Sequence, residues 1–195
     1  MLDFESVPGI SEGKLLTPDI NEYFRTNYGV TFSISAGGQF AFARIVGEKE
    51  SKPSFKAWMS VLCPKRPNHN RLCNGGNGGR WILSTTSATR TRNITFEIAY
   101  EVPVKKLSFD LADLDGNEVW TFTLYNSAGV VIPGGKSISA RGYGGGTGNS
   151  ALKKIELAST QRISRVRAAG TKGIRIFGFG FDNFVTGVPR CVKSM

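Results

Sequence analysis

The sequence predicts an all-β chain, a sandwich or barrel of about ten short strands. Three observations carry that expectation. Short stretches of alternating apolar and polar residues recur along the chain, as in "NITFEIAY" and "VWTFTLY". Turn signals separate them, with 24 glycines among 195 residues. Helical periodicity is almost absent. No internal repeat and no dividing linker interrupts the pattern, so residues 1–195 read as a single domain. A chain of this length buries a core without staples.

The elements follow in order. "LDFE" at the start reads as a short strand. Residues 6–28 look irregular, although "PDINEYF" supports a turn or two of helix with Asp19 near its start. "YGVTFSI" and "QFAFARI" read as strands joined across "SAGG", and "AWMSVL" as another. "NGGNGG" demands positive φ and is a turn or an extended loop. "RWILSTT" and "NITFEIAY" resume strand patterning; Ile94, Phe96, Ile98 and Tyr100 share one face. In residues 104–132, Leu107, Phe109 and Leu111 line one strand face, "DLDGN" turns the chain, and Trp120, Phe122 and Leu124 line the next. This pattern predicts an antiparallel hairpin. "NSAG" turns again into "VVI". "KKIELA", "ISRVRAA" and "GIRIFGFGFDNF" complete the strands.

Charge and cysteines bound the partners. The formal charge is +10, from 25 Lys and Arg against 15 Asp and Glu. A basic surface of this kind attracts polyanions. The basic residues are dispersed, and no finger, helix-turn-helix or RNA-recognition signature occurs, so no specific nucleic-acid partner is expected. In "RISRVR", Arg165 and Arg167 share a strand face, whereas Arg162 and Arg165 cannot. No apolar run is long enough to span a membrane, and no secretory signal is visible. Cys63 and Cys73 bracket a small loop and Cys191 stands apart; a Cys63–Cys73 bridge would fit an exported protein.

Catalytic motifs are sparse. His69 is the only histidine and lies in the polar loop "PNHNR", and no G-x-S-x-G elbow exists. Glu97 and Glu101 are carboxylates that a glycosidase would need, yet nothing marks them as a pair. A catalyst is therefore the lesser reading. "GYGGGTG" lacks the Gly-Lys-Ser/Thr ending of a phosphate loop and reads as a flexible connection. "DLADLDG" overlaps the opening of a calcium loop but lacks its later ligands, so turn chemistry explains it better.

Asp182 is what strand physics leaves over in "GFGFDNF". Asp3 and Glu5 are two residues apart near the other end of the chain. If the first and last strands adjoin, the three carboxylates converge, and a hard cation reconciles them. Asn183 adds a side-chain carbonyl.

"LDFE", "YGVTFS", "LSFDLADLDGNEVWTFTLYNSAG" and "GFGFDNF", in that order, resemble the jelly-roll β-sandwiches of galactose-binding-like domains and carbohydrate-binding modules. The resemblance implies a structural calcium joining the first strand to the last, with Asp3, Glu5 and Asp182 as ligands. It also implies a non-catalytic binding or adhesion module for carbohydrate, at the cell surface or outside the cell. The net charge tilts the expected glycan toward an acidic or sulfated polysaccharide. Trp58, Trp81 and Tyr143 are the ligand-binding candidates, because an exposed ring stacks on a sugar; Trp120 sits in strand alternation and reads as core. Two alternatives stand beside this. One is a self-assembling surface or virion protein, which would make the chain a homo-oligomer. The other is a jelly-roll polysaccharide lyase or glycosidase.

Overall fold

A computed structural model of the chain describes residues 2, 4, 7–10, 14–36, 39–44, 81–85, 91–112, 119–139, 153–176 and 180–185. Among these, helix α1 (Pro18–Tyr28) is followed by β1 (Val30–Ala36), β2 (Phe40–Arg44), β3 (Trp81–Thr85), β4 (Thr91–Ala112), β5 (Val119–Tyr125), β6 (Val131–Ser139), β7 (Lys153–Ile176) and β8 (Gly180–Val185). Every strand pairing is antiparallel. The all-β sandwich expected from the sequence is present. Its strands are less uniformly short than expected, because segments that read as separate strands fuse into β4, of 22 residues, and β7, of 24. "AWMSVL", the Cys63–Cys73 loop and "GYGGGTG" lie outside the described residues.

β4 and β7 form a bent ribbon that serves both layers. Their register shifts twice between Ala99 and Lys106. At that point the buried positions change parity, from Ile94, Phe96, Ile98 and Tyr100 to Leu107, Phe109 and Leu111. β7 switches likewise, from Ile155 and Leu157 to Val166 and Ala168. Bulges re-aim side chains in this way and let a strand pass from one sheet to another. The first layer is β1, the start of β4, the end of β7, β5 and β6. The second is the start of β7, the end of β4, β8, β3 and β2.

Aromatic rings meet between the layers. Phe109 and Phe122 have centroids 5.6 Å apart, Phe32 and Phe184 5.0 Å, and Phe40 and Phe96 5.8 Å. Such pairs add to the burial of their area. Trp120 is fully buried, as its alternation predicts.

The hairpin expected across residues 104–132 does not form. Leu107, Phe109, Leu111, Trp120, Phe122 and Leu124 are all buried, but β7 lies between β4 and β5. Ala112 pairs with Gly180 in the second layer, and Val119 pairs with Thr171 in the first. β4 therefore ends in one layer and β5 begins in the other. The "NSAG" turn does form. Asn126 Oδ1 accepts from the amides of Ala128 and Val130, both at 3.0 Å, and Gly129 takes φ 76°.

α1 is longer than the turn or two expected. Thr17 caps it, Pro18 starts it, and Gly29 ends it in the left-handed conformation at φ 64°. Phe24 buries against Phe32 and Phe42. Asn21 occupies the free edge of β1: its Nδ2 donates to the Phe32 carbonyl at 2.8 Å, and its Oδ1 accepts from the Phe32 amide at 2.9 Å. Arg25 bonds Glu22 and Glu101, tying the helix to β4. That hydrogen bond from Arg25 holds the Glu22 carboxyl below its ordinary value.

Of the first segment, Leu2 and Phe4 are described. Leu2 makes one antiparallel bridge to Phe184, with N–O distances of 2.8 and 2.9 Å. Phe4 then takes φ 57° and its ring sits against Phe24, Phe42 and Phe184.

Candidate functional site

Strand alternation sends every second residue of the first layer away from the core. The strand order aligns these outward residues in rows. One row runs Thr31, Ala99, Arg165, Tyr125 and Val131; the next runs Ser33, Glu97, Arg167 and Thr123. Beyond them, Thr95, Ala169, Thr121 and Ser137 follow. The face is open: Ser33, Thr121, Ser137 and Arg167 are exposed, and Val131 keeps 60% of its surface.

The centre of this face is ordered by one guanidinium. Arg165 Nη1 donates to both carboxylate oxygens of Glu97 at 3.3 Å. Its guanidinium carbon also stands 4.3 Å from the centroid of the Tyr125 ring. Glu97 is the register partner of Arg167, yet it bonds the diagonal residue, Arg165. The Thr121 and Ser137 hydroxyls share a hydrogen bond at 3.1 Å. A half-buried ring, an apolar neighbour, a fixed ion pair and many hydroxyls thus lie on one open surface. Chemically, this offers apolar contact to C–H groups and hydrogen bonds to a polyol.

Of the expected site residues, Trp81, Asp182 and Asn183 are described, and all three are in the second layer. Trp58 and Tyr143 lie outside the described residues, as do Asp3 and Glu5. Trp81 opens β3 in the second layer, as the register partner of Arg44. Asp182 and Asn183 are on β8, and Asp182 is the register partner of Asp110 on β4. A single bridge joins Leu2 to Phe184 on β8. Among the described residues, no group of three or more His, Cys, Asp and Glu is assembled. Glu97 and Glu101 are engaged separately, with Arg165 and Arg25.

Sequence reasoning missed Tyr125, Thr123 and Thr121. Their signal was the polar half of "VWTFTLY", whose apolar half was read as core. The shared face of Arg165 and Arg167 was visible, but its neighbours on β4 and β5 were not.

The fold is shared with a solved domain. The K2 cleaved adhesin domain of Lys-gingipain (Kgp) is similar over 94% of this chain and 94% of that one, with a TM-score of 0.52 and 11% identity. At that identity the likeness shows a common β-sandwich fold. Two further structures are less similar. TmCBM61, solved with β-1,4-galactotriose, matches over 89% of this chain and 97% of that chain, with a TM-score of 0.42 and 13% identity. The family 32 carbohydrate-binding module from C. perfringens NanJ, in complex with galactose, matches over 79% and 89%, with a TM-score of 0.39 and 10% identity. No protein-family model and no curated protein sequence matches the chain.

Proposed function

We propose that this chain is a non-catalytic carbohydrate-binding module, acting outside the cell or at its surface, whose glycan rests on the outer face of the first layer. The observation that carries this reading is Tyr125, steadied by Arg165 and Glu97 on an open, hydroxyl-rich sheet. The β-sandwich shared with an adhesin domain agrees with it. Trp58, Trp81 and Tyr143 remain candidates for contacts beyond this face. The net charge of +10 favours acidic or sulfated glycans over neutral ones. Calorimetric titration of an oligosaccharide panel tests the reading. Tyr125→Ala should weaken the bound members about tenfold, or about 1.4 kcal/mol. Binding unchanged by that substitution would remove the face from the account.

A structural calcium ion at the junction of the first segment and β8 belongs to the same proposal. Asp3, Glu5, Asp182 and Asn183 would hold it, and Asp110 adds a carboxylate. Two observations support it. Leu2, the sequence neighbour of Asp3, bridges to Phe184 on β8. Asp110 and Asp182 are register partners, so two carboxylate-bearing positions adjoin on β4 and β8. An ion bound only by the folded state stabilises it, so EDTA should lower the Tm and added Ca²⁺ restore it. An unchanged Tm, with no metal in elemental analysis, would refute the site.

No helix among the described residues is long and apolar enough to cross a membrane.

A further inference from the structure

We infer that the glycan held on this face carries an anionic group, a carboxylate or a sulfate, and that Arg167 is the residue that reads it. The inference rests on the carbohydrate-binding reading of the same face and narrows its ligand.

Arg167 lies near the middle of the first layer, with Glu97 opposite it on β4 and Thr123 opposite it on β5. It is exposed, and no carboxylate among the described residues bonds it. The one carboxylate placed to do so, Glu97, gives both oxygens to Arg165. Glu101, the next acidic residue outward along β4, is bonded to Arg25. Among the described side chains, the face therefore holds two guanidinium groups and a single engaged carboxylate between them. One positive charge is left over, and it is on Arg167.

The two arginines have different tasks. Arg165 is committed to Glu97 and to the Tyr125 ring, so it builds the platform. Glu97 acts through Arg165 and is a positioning residue. Arg167 keeps its fork of donors for something outside the protein. A planar guanidinium matches the paired oxygens of a carboxylate or sulfate better than it matches single hydroxyls. Arg165 and Arg167 are two residues apart, about 7 Å along the strand. One sugar ring resting at Tyr125 bridges that distance with its acidic substituent. The outer positions of the second layer differ: Lys106, Lys154, Glu156 and Asp110 mix both signs there. A uniform cationic skin does not describe this molecule.

Calorimetry on the full chain tests the inference. The probes are a neutral galacto-oligosaccharide, an oligogalacturonate and a sulfated galactan oligosaccharide, each at low and physiological salt. One acidic probe should bind at least tenfold more tightly than the neutral one. Whichever does so identifies the carboxylate or the sulfate as the source. Arg167→Ala should abolish that advantage, with a loss for the acidic probe at least tenfold greater than for the neutral one. Lys106→Ala, on the other layer, should leave the advantage intact. Equal affinity for neutral and acidic probes would overturn the inference. So would equal losses from Arg167→Ala and Lys106→Ala, which would mean diffuse attraction. If the neutral probe binds and Tyr125→Ala weakens it, with no acidic preference, only this inference falls. If no probe binds, the carbohydrate reading falls first.

Discussion

The two faces of the first layer come from the same strands and differ in what they can tolerate. Inward, Phe96, Ile98, Trp120, Phe122, Val166 and Ala168 are buried at 1% exposure or less. Outward, their immediate neighbours Glu97, Thr121, Thr123, Arg165 and Arg167 are polar and reach solvent. Every second residue thus secures the sandwich and every other one is free for recognition. Stability should depend on one set and binding on the other.

The largest test of that division is Phe109→Ala. Phe109 stacks on Phe184 at 5.1 Å and meets Phe122 across the layers, so its loss opens a cavity. Chemical denaturation should show about 3–5 kcal/mol of destabilisation. Gly170→Ala comes next. A Cβ there would stand 2.7 Å from the Trp120 ring, which lies over the glycine from β5. Overpacking of this kind costs about 1–3 kcal/mol.

Tyr100→Phe reverses the sign. Tyr100 is 6% exposed, and its hydroxyl has no hydrogen-bond partner among the described residues. Burial also pushes its phenol above the ordinary tyrosine value. Removing an unsatisfied buried hydroxyl should leave stability equal or raise it by about 1 kcal/mol. A clear loss would reveal a partner for that oxygen. Thr123→Ala, on the outer face, should change stability by no more than about 0.5 kcal/mol. A larger cost would mean that the outer face is structural after all.

Much of this division was legible in the sequence. Period-2 alternation picked out Ile94, Phe96, Ile98, Trp120, Phe122 and Leu124 as inward residues, and all are buried. The composition of the turns announced the β5–β6 hairpin. Strand adjacency was not legible. "DLDGN" has the chemistry of a hairpin turn, yet β7, distant in sequence, lies between the strands it joins. Nor was the β4–β7 corner read, although Pro103 lies within its first register shift and a proline inside a paired strand marks a bulge. The outer site depends on both features. Tyr125 and Arg165 are register partners on β5 and β7, and Glu97 joins them from β4. No single stretch of sequence contains all three. Trp81 and Tyr143 stand near glycines in the sequence, where a ring reads as surface. A Tyr at the end of a regular strand looks like ordinary alternation.

The central claim is that recognition occurs on the outward set of the first layer. Amide chemical-shift mapping during titration with an oligosaccharide that binds tests it most directly. The account predicts that the largest shifts fall on Glu97, Thr123, Tyr125, Arg165 and Arg167. Shifts centred instead on β3 around Trp81, with the first layer silent, would contradict it.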